Sequence, residues 1–132
     1  MSTVHDLSAT PVHLGLGPVA VPVEDFAWSA EALTAYDDRF ASDGDEGRLV
    51  TVGDITDDWQ VWERHPAGDE LVVCLSGRVR LVQEVDGEEV AIEVGAGEYV
   101  VNGPGVWHTA DVIEPGRSLF ITPGRGTDHR PR

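Results

Sequence analysis

The sequence predicts an all-β fold, either a barrel or a sandwich, on three observations. Short apolar segments recur along most of the chain, and they are rich in valine, isoleucine and aromatic residues. Glycine, proline and acidic turn residues separate these segments at close intervals. One stretch alone shows the three-to-four-residue period of an amphipathic helix. Many short strands at this spacing are typical of a closed barrel or of two packed sheets.

Residues 1–47 are predicted to be an N-terminal arm, one short helix and an acidic loop. Prolines and glycines interrupt the first half of this region, which is typical of an arm laid over a surface. Ser29 suits the N-cap of a helix that ends near Phe40, with apolar residues at intervals of three or four and Glu31 in the first turn. The acidic segment 42–47 follows as a loop.

Residues 48–124 are predicted to form the barrel. The strands are expected near 49–53, 59–65, 70–76, 78–85, 89–94, 98–101, 106–113 and 118–122. The predicted turns between them are Ser76-Gly77, Asp86-Gly87, Gly95-Ala96-Gly97, Gly103-Pro104-Gly105 and Pro115-Gly116. The tail, residues 125–132, is polar and interrupted by glycine and proline, and we expect it to be disordered.

The composition is that of one acidic globular domain. The chain has 132 residues, 41% of them hydrophobic, and 24 acidic residues against 9 basic ones, a formal net charge of −15. Such a charge repels phosphate backbones, which argues against nucleic acid as a partner. All the basic residues are arginines, and the absence of lysine excludes Schiff-base chemistry and a phosphate-binding loop ending in Gly-Lys.

The sequence predicts a cytoplasmic protein without a membrane partner. No apolar run approaches the roughly 18 residues of a transmembrane helix, and the N-terminus lacks a secretory pattern. The single cysteine, Cys74, cannot form an internal disulfide, which agrees with a reducing compartment. His5, His13 and His129 fall in segments that we expect to be flexible.

Two imidazoles and two carboxylates lie in segments predicted as strands, namely Glu63, His65, Glu70 and His108. Imidazole and carboxylate are common ligands of first-row divalent metals. Side chains alternate along a strand, so Glu63 and His65 share a face and can point into one barrel. Glu63 has two interpretations, an oxygen ligand or a side chain facing solvent. Asp69 competes with Glu70 if the preceding loop shifts by one residue.

Apolar residues accompany these candidate ligands on their predicted faces. Glu70 shares its face with Val72 and Cys74, and His108 shares its face with Ala110 and Val112. These four neighbours are predicted to line a small-molecule pocket. Cys74 has a second interpretation, since a free cysteine is commonly just a small buried hydrophobe.

The spacing of these residues resembles the first motif of the cupins, a family of small β-barrels. That motif reads Gly, five residues, His-x-His, three or four residues, Glu, six residues, Gly. Glu63-x-His65, four residues, Glu70, six residues and Gly77 follow the same spacing. Glu63 stands where the first histidine belongs, and the opening glycine is missing.

The second cupin motif reads Gly, five residues, Pro-x-Gly, two residues, His, three residues, Asn. Gly97, five residues, Gly103-Pro104-Gly105, two residues, His108, three residues and Val112 resemble it. Glycine replaces the first proline, and valine replaces the asparagine. The resemblance covers roughly residues 48–124.

The resemblance implies a cupin-like double-stranded β-helix, the jelly-roll barrel of the small single-domain bacterial cupins. It implies one divalent metal ion, Fe, Mn, Zn or Ni, on His65, Glu70, His108 and Glu63, beside a small-molecule ligand. Dioxygenases, isomerases and epimerases occur in the family, and the resemblance does not choose among them. It also implies a homodimer, which the proline-interrupted arm favours.

We therefore predict a metal-dependent small-molecule cupin of unassigned substrate, with a dioxygenase or an isomerase as the reactions to test. The metal would act as a Lewis acid toward a substrate oxygen, and iron, manganese or nickel would add dioxygen chemistry. Two alternatives stay open, which are a non-catalytic small-molecule-binding cupin and a structural barrel without a metal. The altered motif positions favour the non-catalytic binding protein.

Overall fold

The computed structural model describes residues 3–132 and confirms the all-β fold. An α-helix, α1 (Ala30–Arg39), and a short 3-10 helix (Ala41–Glu46) lie near the N-terminus. The strands are β1 (Val12–Leu14), β2 (Ala20–Pro22), β3 (Arg48–Ile55), β4 (Val61–Arg64), β5 (Glu70–Val85), β6 (Glu88–Gly95), β7 (Tyr99–Asn102), β8 (His108–Thr122) and β9 (Asp128–Pro131). Within the described residues, neither helix is long and apolar enough to cross a membrane.

The strands form one antiparallel hydrogen-bonded system with β8 at its centre. Part of it runs in the order β2-β1-β3-β8-β4-β9, and β5 joins it by pairing with β6, β7 and β8. β8 pairs with β5 along most of its length, and its second half also pairs with β3. At the start of β8, His108 pairs with Glu63 of β4. This pairing brings two predicted ligands from distant parts of the sequence side by side.

Two of the predicted turns are wrong, because Ser76-Gly77 and Pro115-Gly116 lie inside the long strands β5 and β8. The two strands pair across this point with register shifts of the β-bulge type. A Cβ atom on Gly116 would overlap the backbone carbonyl of Ser76. Glycine therefore serves here to let two backbones approach closely, not to reverse the chain.

The predicted helix is confirmed as α1. The side-chain oxygen of its N-cap, Ser29, accepts a hydrogen bond from the backbone N–H of Ala32 at 3.1 Å. The segment predicted as an acidic loop is instead the 3-10 helix. The backbone N–H of Asp43 donates to the carbonyl of Phe40 at 3.0 Å, a contact of the 3-10 type that tightens the chain after α1.

The N-terminal arm is joined to the sheet, since β1 pairs with both β2 and β3. The expectation that His13 is flexible is wrong, because its side chain is buried on β1. Its Nδ1 lies 2.6 Å from the Tyr36 hydroxyl, its Nε2 lies 2.6 Å from an oxygen of Asp43, and its ring stacks on Phe40. These contacts fasten both helices to the edge of the sheet.

The prediction of a disordered tail over residues 125–132 is also wrong, because β9 pairs with β4. The guanidinium of Arg130 lies 5.2 Å from the ring centre of Trp62 and 4.5 Å from that of Trp107. It also forms an ion pair with Glu84. Cation–π contacts and an ion pair thus attach this polar strand to the sheet. Such contacts do not need the alternating apolar pattern from which strands are predicted in a sequence.

The hydrophobic core adjoins the start of β8. Its central residues are Ile55, Val79, Leu81 and Ala110, with Trp59, Val100, Val112 and Phe120 packed against them. Ala110 and Val112 follow His108 at intervals of two along β8, so these side chains lie on one face. The ring centre of Trp59 lies 6.4 Å from that of His108. The core therefore packs directly against one of the predicted ligands.

Candidate metal centre

The four predicted ligands converge in the structure. Glu63 lies on β4 and His65 directly follows it, while Glu70 and His108 are the first residues of β5 and β8. His65, Glu70 and His108 are buried, whereas 24% of the Glu63 side chain is exposed. The site therefore has a buried side of three residues and an outer side at Glu63.

Glu70 stands between the two imidazoles. Its Oε2 lies 3.1 Å from Nε2 of His65, and its Oε1 lies 3.2 Å from Nε2 of His108. Nδ2 of Asn102 donates a hydrogen bond to Oε1 at 3.1 Å, and the Thr122 hydroxyl donates to Oε2 at 2.6 Å. These two bonds hold the carboxylate with one oxygen near each imidazole.

Hydrogen bonds at Nδ1 fix the tautomer of both imidazoles. Nδ1 of His65 lies 2.8 Å from the hydroxyl of Thr127, which donates its own proton to the carbonyl of Gly124 at 2.8 Å. The hydroxyl therefore accepts from Nδ1–H of His65. Nδ1 of His108 lies 3.1 Å from the backbone carbonyl oxygen of Val106, which can only accept. In the neutral rings, Nε2 carries the lone pair that a metal binds.

Both Nε2 atoms are buried, and neither has a hydrogen-bond partner among residues 3–132. Each lies 3.1 or 3.2 Å from an oxygen of Glu70, but a neutral ring protonated at Nδ1 has no N–H at Nε2 to donate. In the neutral form each lone pair lies beside an anion, which is unfavourable in a buried site. A cation removes this conflict, and two imidazoles with a carboxylate are ordinary ligands of a divalent metal. The residues therefore fit a metal ion.

Electrostatic coupling sets the ionisation of the site. Burial raises the pKa of Glu70, but the imidazoles of His108 and His65 outweigh burial and hold this pKa far below its ordinary range. Burial lowers the pKa of His65, but the contact with Glu70 and the charges of Glu70 and Glu63 outweigh it, so this pKa is raised overall. The centre is thus anionic and attracts a positive charge.

Glu63 joins the two histidines in a group that could hold a metal ion. One ligand atom from each of Glu63, His65 and His108 lies within 4.8 Å of the others. Oε1 of Glu63 is 3.7 Å from Nε2 of His65 and 3.6 Å from Nε2 of His129 on β9. Glu70 is not a member of this group, although its oxygens lie 3.1 and 3.2 Å from the two Nε2 atoms. Asp69, the competitor of Glu70, is exposed and lies outside this group as well.

The four predicted pocket residues occupy two kinds of environment. Val72 and Ala110 are buried, and Val112 packs against the core. The thiol of Cys74 is buried and lies 3.3 and 3.6 Å from two backbone carbonyls at the bulge in β5. The Cys74 side chain thus contacts its own strand, and a pocket lined by Val72, Cys74, Ala110 and Val112 stays a prediction.

Sequence reasoning missed the polar residues that surround the ligands, which are Gln83, Asn102, Thr122, Thr127 and His129. Gln83 donates from Nε2 to Oδ1 of Asn102 at 2.9 Å, so an amide chain leads to Glu70. No local pattern marks these residues, because each lies near a strand end and reaches the site through long-range pairing. One available signal was the position of Asn102, directly before the second glycine-rich motif.

Comparisons with known proteins bear on the fold. The model of a family described as the Cupin domain matches residues 50–122. No curated protein matches the chain at the level required for a relationship. The hydroxypropylphosphonic acid epoxidase from S. wedmorenis, solved in complex with fosfomycin, is 14% identical over 57% of this chain and 43% of its own, with a TM-score of 0.50.

Two further solved structures are similar. A structure of CoII HppE in complex with substrate is 14% identical over 57% of this chain and 44% of its own, with a TM-score of 0.50. A cupin-2 domain containing protein from Shewanella frigidimarina is 22% identical over 64% of this chain and 71% of its own, with a TM-score of 0.49. The chain therefore spans less than half the length of the epoxidase, and the likeness to that enzyme is one of fold.

Proposed function

The chain belongs to the cupin family, and on that basis we propose that it is a metal-dependent cupin that acts on a small molecule. One divalent metal is held by His65, His108 and Glu70 on the buried side of the centre and by Glu63 on the outer side. The observation that carries this proposal is the pair of buried, unpartnered Nε2 atoms on either side of the Glu70 carboxylate.

The donor set determines which ions suit the centre. Imidazole nitrogens and carboxylate oxygens favour Fe(II), Mn(II), Zn(II) or Ni(II) over Cu(I), which prefers thiolate and thioether ligands. Such an ion supplies a Lewis acid for a substrate oxygen, and iron, manganese or nickel also supplies dioxygen chemistry. Glu70 contributes the negative charge that balances the ion. Thr127 and the carbonyl of Val106 keep both rings turned with Nε2 free to bind.

The substrate enters on the Glu63 side, because the other three ligands are buried. Trp59 packs between His108 and Phe120, with ring centres 6.4 and 6.2 Å away. This aromatic wall keeps water from one side of His108. An oxygen-bearing small molecule with a short apolar portion matches such a site, which has charged ligands beside an apolar wall. The reactions we propose to test are oxygen-dependent oxidation and isomerisation.

Metal content tests the proposal directly. Full-length untagged chain is reconstituted with Fe, Mn, Ni or Zn, passed through a desalting column and analysed for metal. We expect about one ion per chain, its loss in the double variant His65→Ala, His108→Ala, and its retention in the matched control His5→Ala, whose side chain is exposed. Equal metal content in the double variant and the control would refute the centre.

A non-catalytic cupin with the same metal is the second candidate. The filled apolar core against His108 favours it, since Ala110 and Leu81 leave little exposed surface there. Oxygen consumption and product analysis on metal-loaded protein, against panels of small hydroxylated and keto acids and sugars, separate the two candidates. Turnover that disappears in Glu70→Gln supports the enzyme. Saturable binding of a panel compound without turnover supports the binding protein.

We also propose that the protein is a homodimer. One face of the sheet formed by β5, β7 and β8 carries the apolar side chains Leu71, Val73, Leu75, Tyr99, Val101, Leu119 and Ile121, which the strand register places side by side. Leu75, Tyr99 and Val101 are exposed. An apolar face of this kind is typical of an interface. Light scattering should give twice the chain mass, and Tyr99→Glu should give the monomer mass. A monomeric parent chain would refute the dimer.

A further inference from the structure

The C-terminal strand places one more imidazole beside the centre. β4 lies between β8 and β9, and Glu63 pairs with His108 on one side and with His129 on the other. Directly opposed residues of antiparallel strands share a face, with Cβ atoms about 4.5–5.5 Å apart. Glu63, His108 and His129 therefore form one row of potential ligands across three strands.

The distances from Glu63 to two histidines suit a shared ion. Nε2 of His129 lies 3.6 Å from Oε1 of Glu63, and the same oxygen lies 3.7 Å from Nε2 of His65. Two ligand atoms that each lie about 2.1 Å from one metal are about 3.0–3.4 Å apart at right or tetrahedral angles. His129 lies outside the group of ligand atoms that are all within 4.8 Å of one another, so its side chain has to turn toward the centre to reach an ion on His65 and His108. The His129 side chain is 57% exposed, so neighbouring atoms leave it room to turn.

Contacts that involve no metal hold β9 in this register. Arg130 lies over Trp62 and Trp107, and Asp128 accepts a hydrogen bond from Nε of Arg64 at 2.9 Å. One residue earlier, the Thr127 hydroxyl accepts a hydrogen bond from His65. Thr127 thus links this segment to the centre before His129, and Arg130 fixes it to the neighbouring strands after His129.

We infer that His129 is a further ligand of the same metal, a third imidazole supplied from the C-terminal strand to the outer side of the centre. This inference rests on the proposed function, because it assumes the ion on His65, His108 and Glu70. Glu63 and His129 would then both bind the ion on its solvent-facing side. It also makes β9 part of the binding site, so that metal binding and attachment of the C-terminal strand stabilise each other.

Copper EPR with imidazole counting tests this inference on the full-length untagged chain. One equivalent of Cu²⁺ serves as the probe, because electron spin echo modulation reports the remote nitrogen of each bound imidazole. The variant is His129→Gln, which keeps a polar side chain of similar size on an exposed strand. The matched control is His5→Gln, an exposed histidine near the opposite terminus.

We expect three imidazoles in the parent chain and in His5→Gln, and two in His129→Gln. We also expect Zn²⁺ affinity, measured by chelator competition, to fall at least about tenfold in His129→Gln, because loss of even an outer-shell partner commonly costs that much. Equal imidazole counts in the parent chain and His129→Gln would overturn the inference. If His65→Ala, His108→Ala retains the parent spectrum, the proposed function itself fails, and the inference falls with it.

Discussion

Oε2 of Glu70 lies 3.1 Å from Nε2 of His65 in a buried site, and within the described residues this nitrogen has no hydrogen-bond partner. The opposite nitrogen of the ring is already bonded to Thr127. The structure thus places a lone pair next to an anion, with a second such contact at His108. A positive charge, from a proton or from a metal ion, removes this unfavourable contact.

The metal-free protein should lose stability as the pH rises above about 6.5. The pKa of His65 is raised above its ordinary value, so its stabilising contribution is present below that value and disappears as pH passes the folded pKa. The pKa of Glu70 is lowered, so its contribution is present above the ordinary carboxyl range and disappears in acid. Thermal unfolding with a chelator should show both losses.

The metal-loaded protein should behave in the opposite way above pH 6.5. Protons compete with the ion for imidazole, so the stabilisation by metal grows as pH rises. In the metal-free form, Glu70→Gln removes the larger of the two anionic contributions that raise the pKa of His65 and leaves that of Glu63, so the alkaline loss should become smaller in this variant. An alkaline loss of equal size in Glu70→Gln would show that other groups cause it.

Removing the charge of Glu70 should abolish metal binding and keep the fold. Glu70→Gln preserves the shape of the side chain, and an amide is a poor ligand for these ions compared with a carboxylate. The matched control is Asp69→Asn, which removes the same charge from the adjacent exposed position. Circular dichroism and metal analysis together should separate the two variants. Equal metal content in the two variants would show that a group other than Glu70 supplies the negative charge that balances the ion.

The hydroxyl of Thr127 should tune the affinity for metal. Thr127→Val leaves Nδ1 of His65 without its acceptor and frees the ring to turn, and such outer-shell changes commonly cost about 10–100-fold in affinity. Thr34→Val makes the same change at an exposed position on α1 and should have no effect. Chelator competition with Zn²⁺ gives both values. Equal affinities would show that Thr127 does not orient the ring.

The glycine at the crossing of β5 and β8 should be essential to stability. A Cβ atom on Gly116 overlaps the backbone of Ser76, so Gly116→Ala should cost about 3 kcal/mol or more of unfolding free energy. Gly53→Ala is the control, because no atom lies within 4 Å of its added methyl group. Urea denaturation of both variants measures the difference. A loss below about 1 kcal/mol for Gly116→Ala would contradict the close approach.

The candidate ligands were predictable because their pattern is local. Glu63 and His65 are two residues apart on one strand, and the pleat alone places them on one face. The spacing of Glu70 and His108 relative to the glycines carried the resemblance to the cupins. The helix α1 was predictable for the same reason, since its cap at Ser29 and its period lie within a dozen residues.

The surroundings of the ligands were not predictable, because long-range pairing creates them. Thr127 and His129 reach the site only because β9 pairs with β4, which lies more than 60 residues earlier in the chain. Side-chain stacking of Arg130 stabilises that pairing, and a polar strand of this kind resembles a disordered tail in the sequence. Gly116 was predicted as a turn residue but lies inside β8, because glycine occurs both in turns and at close backbone contacts.

Anomalous diffraction from crystals of the zinc-loaded, full-length protein is the most direct test of the central claim. We expect one strong peak at the zinc edge, about 2.0–2.1 Å from Nε2 of both His65 and His108, with an oxygen of Glu70 in contact. A peak bound only to surface carboxylates or to His5, with both Nε2 atoms left without metal, would contradict it.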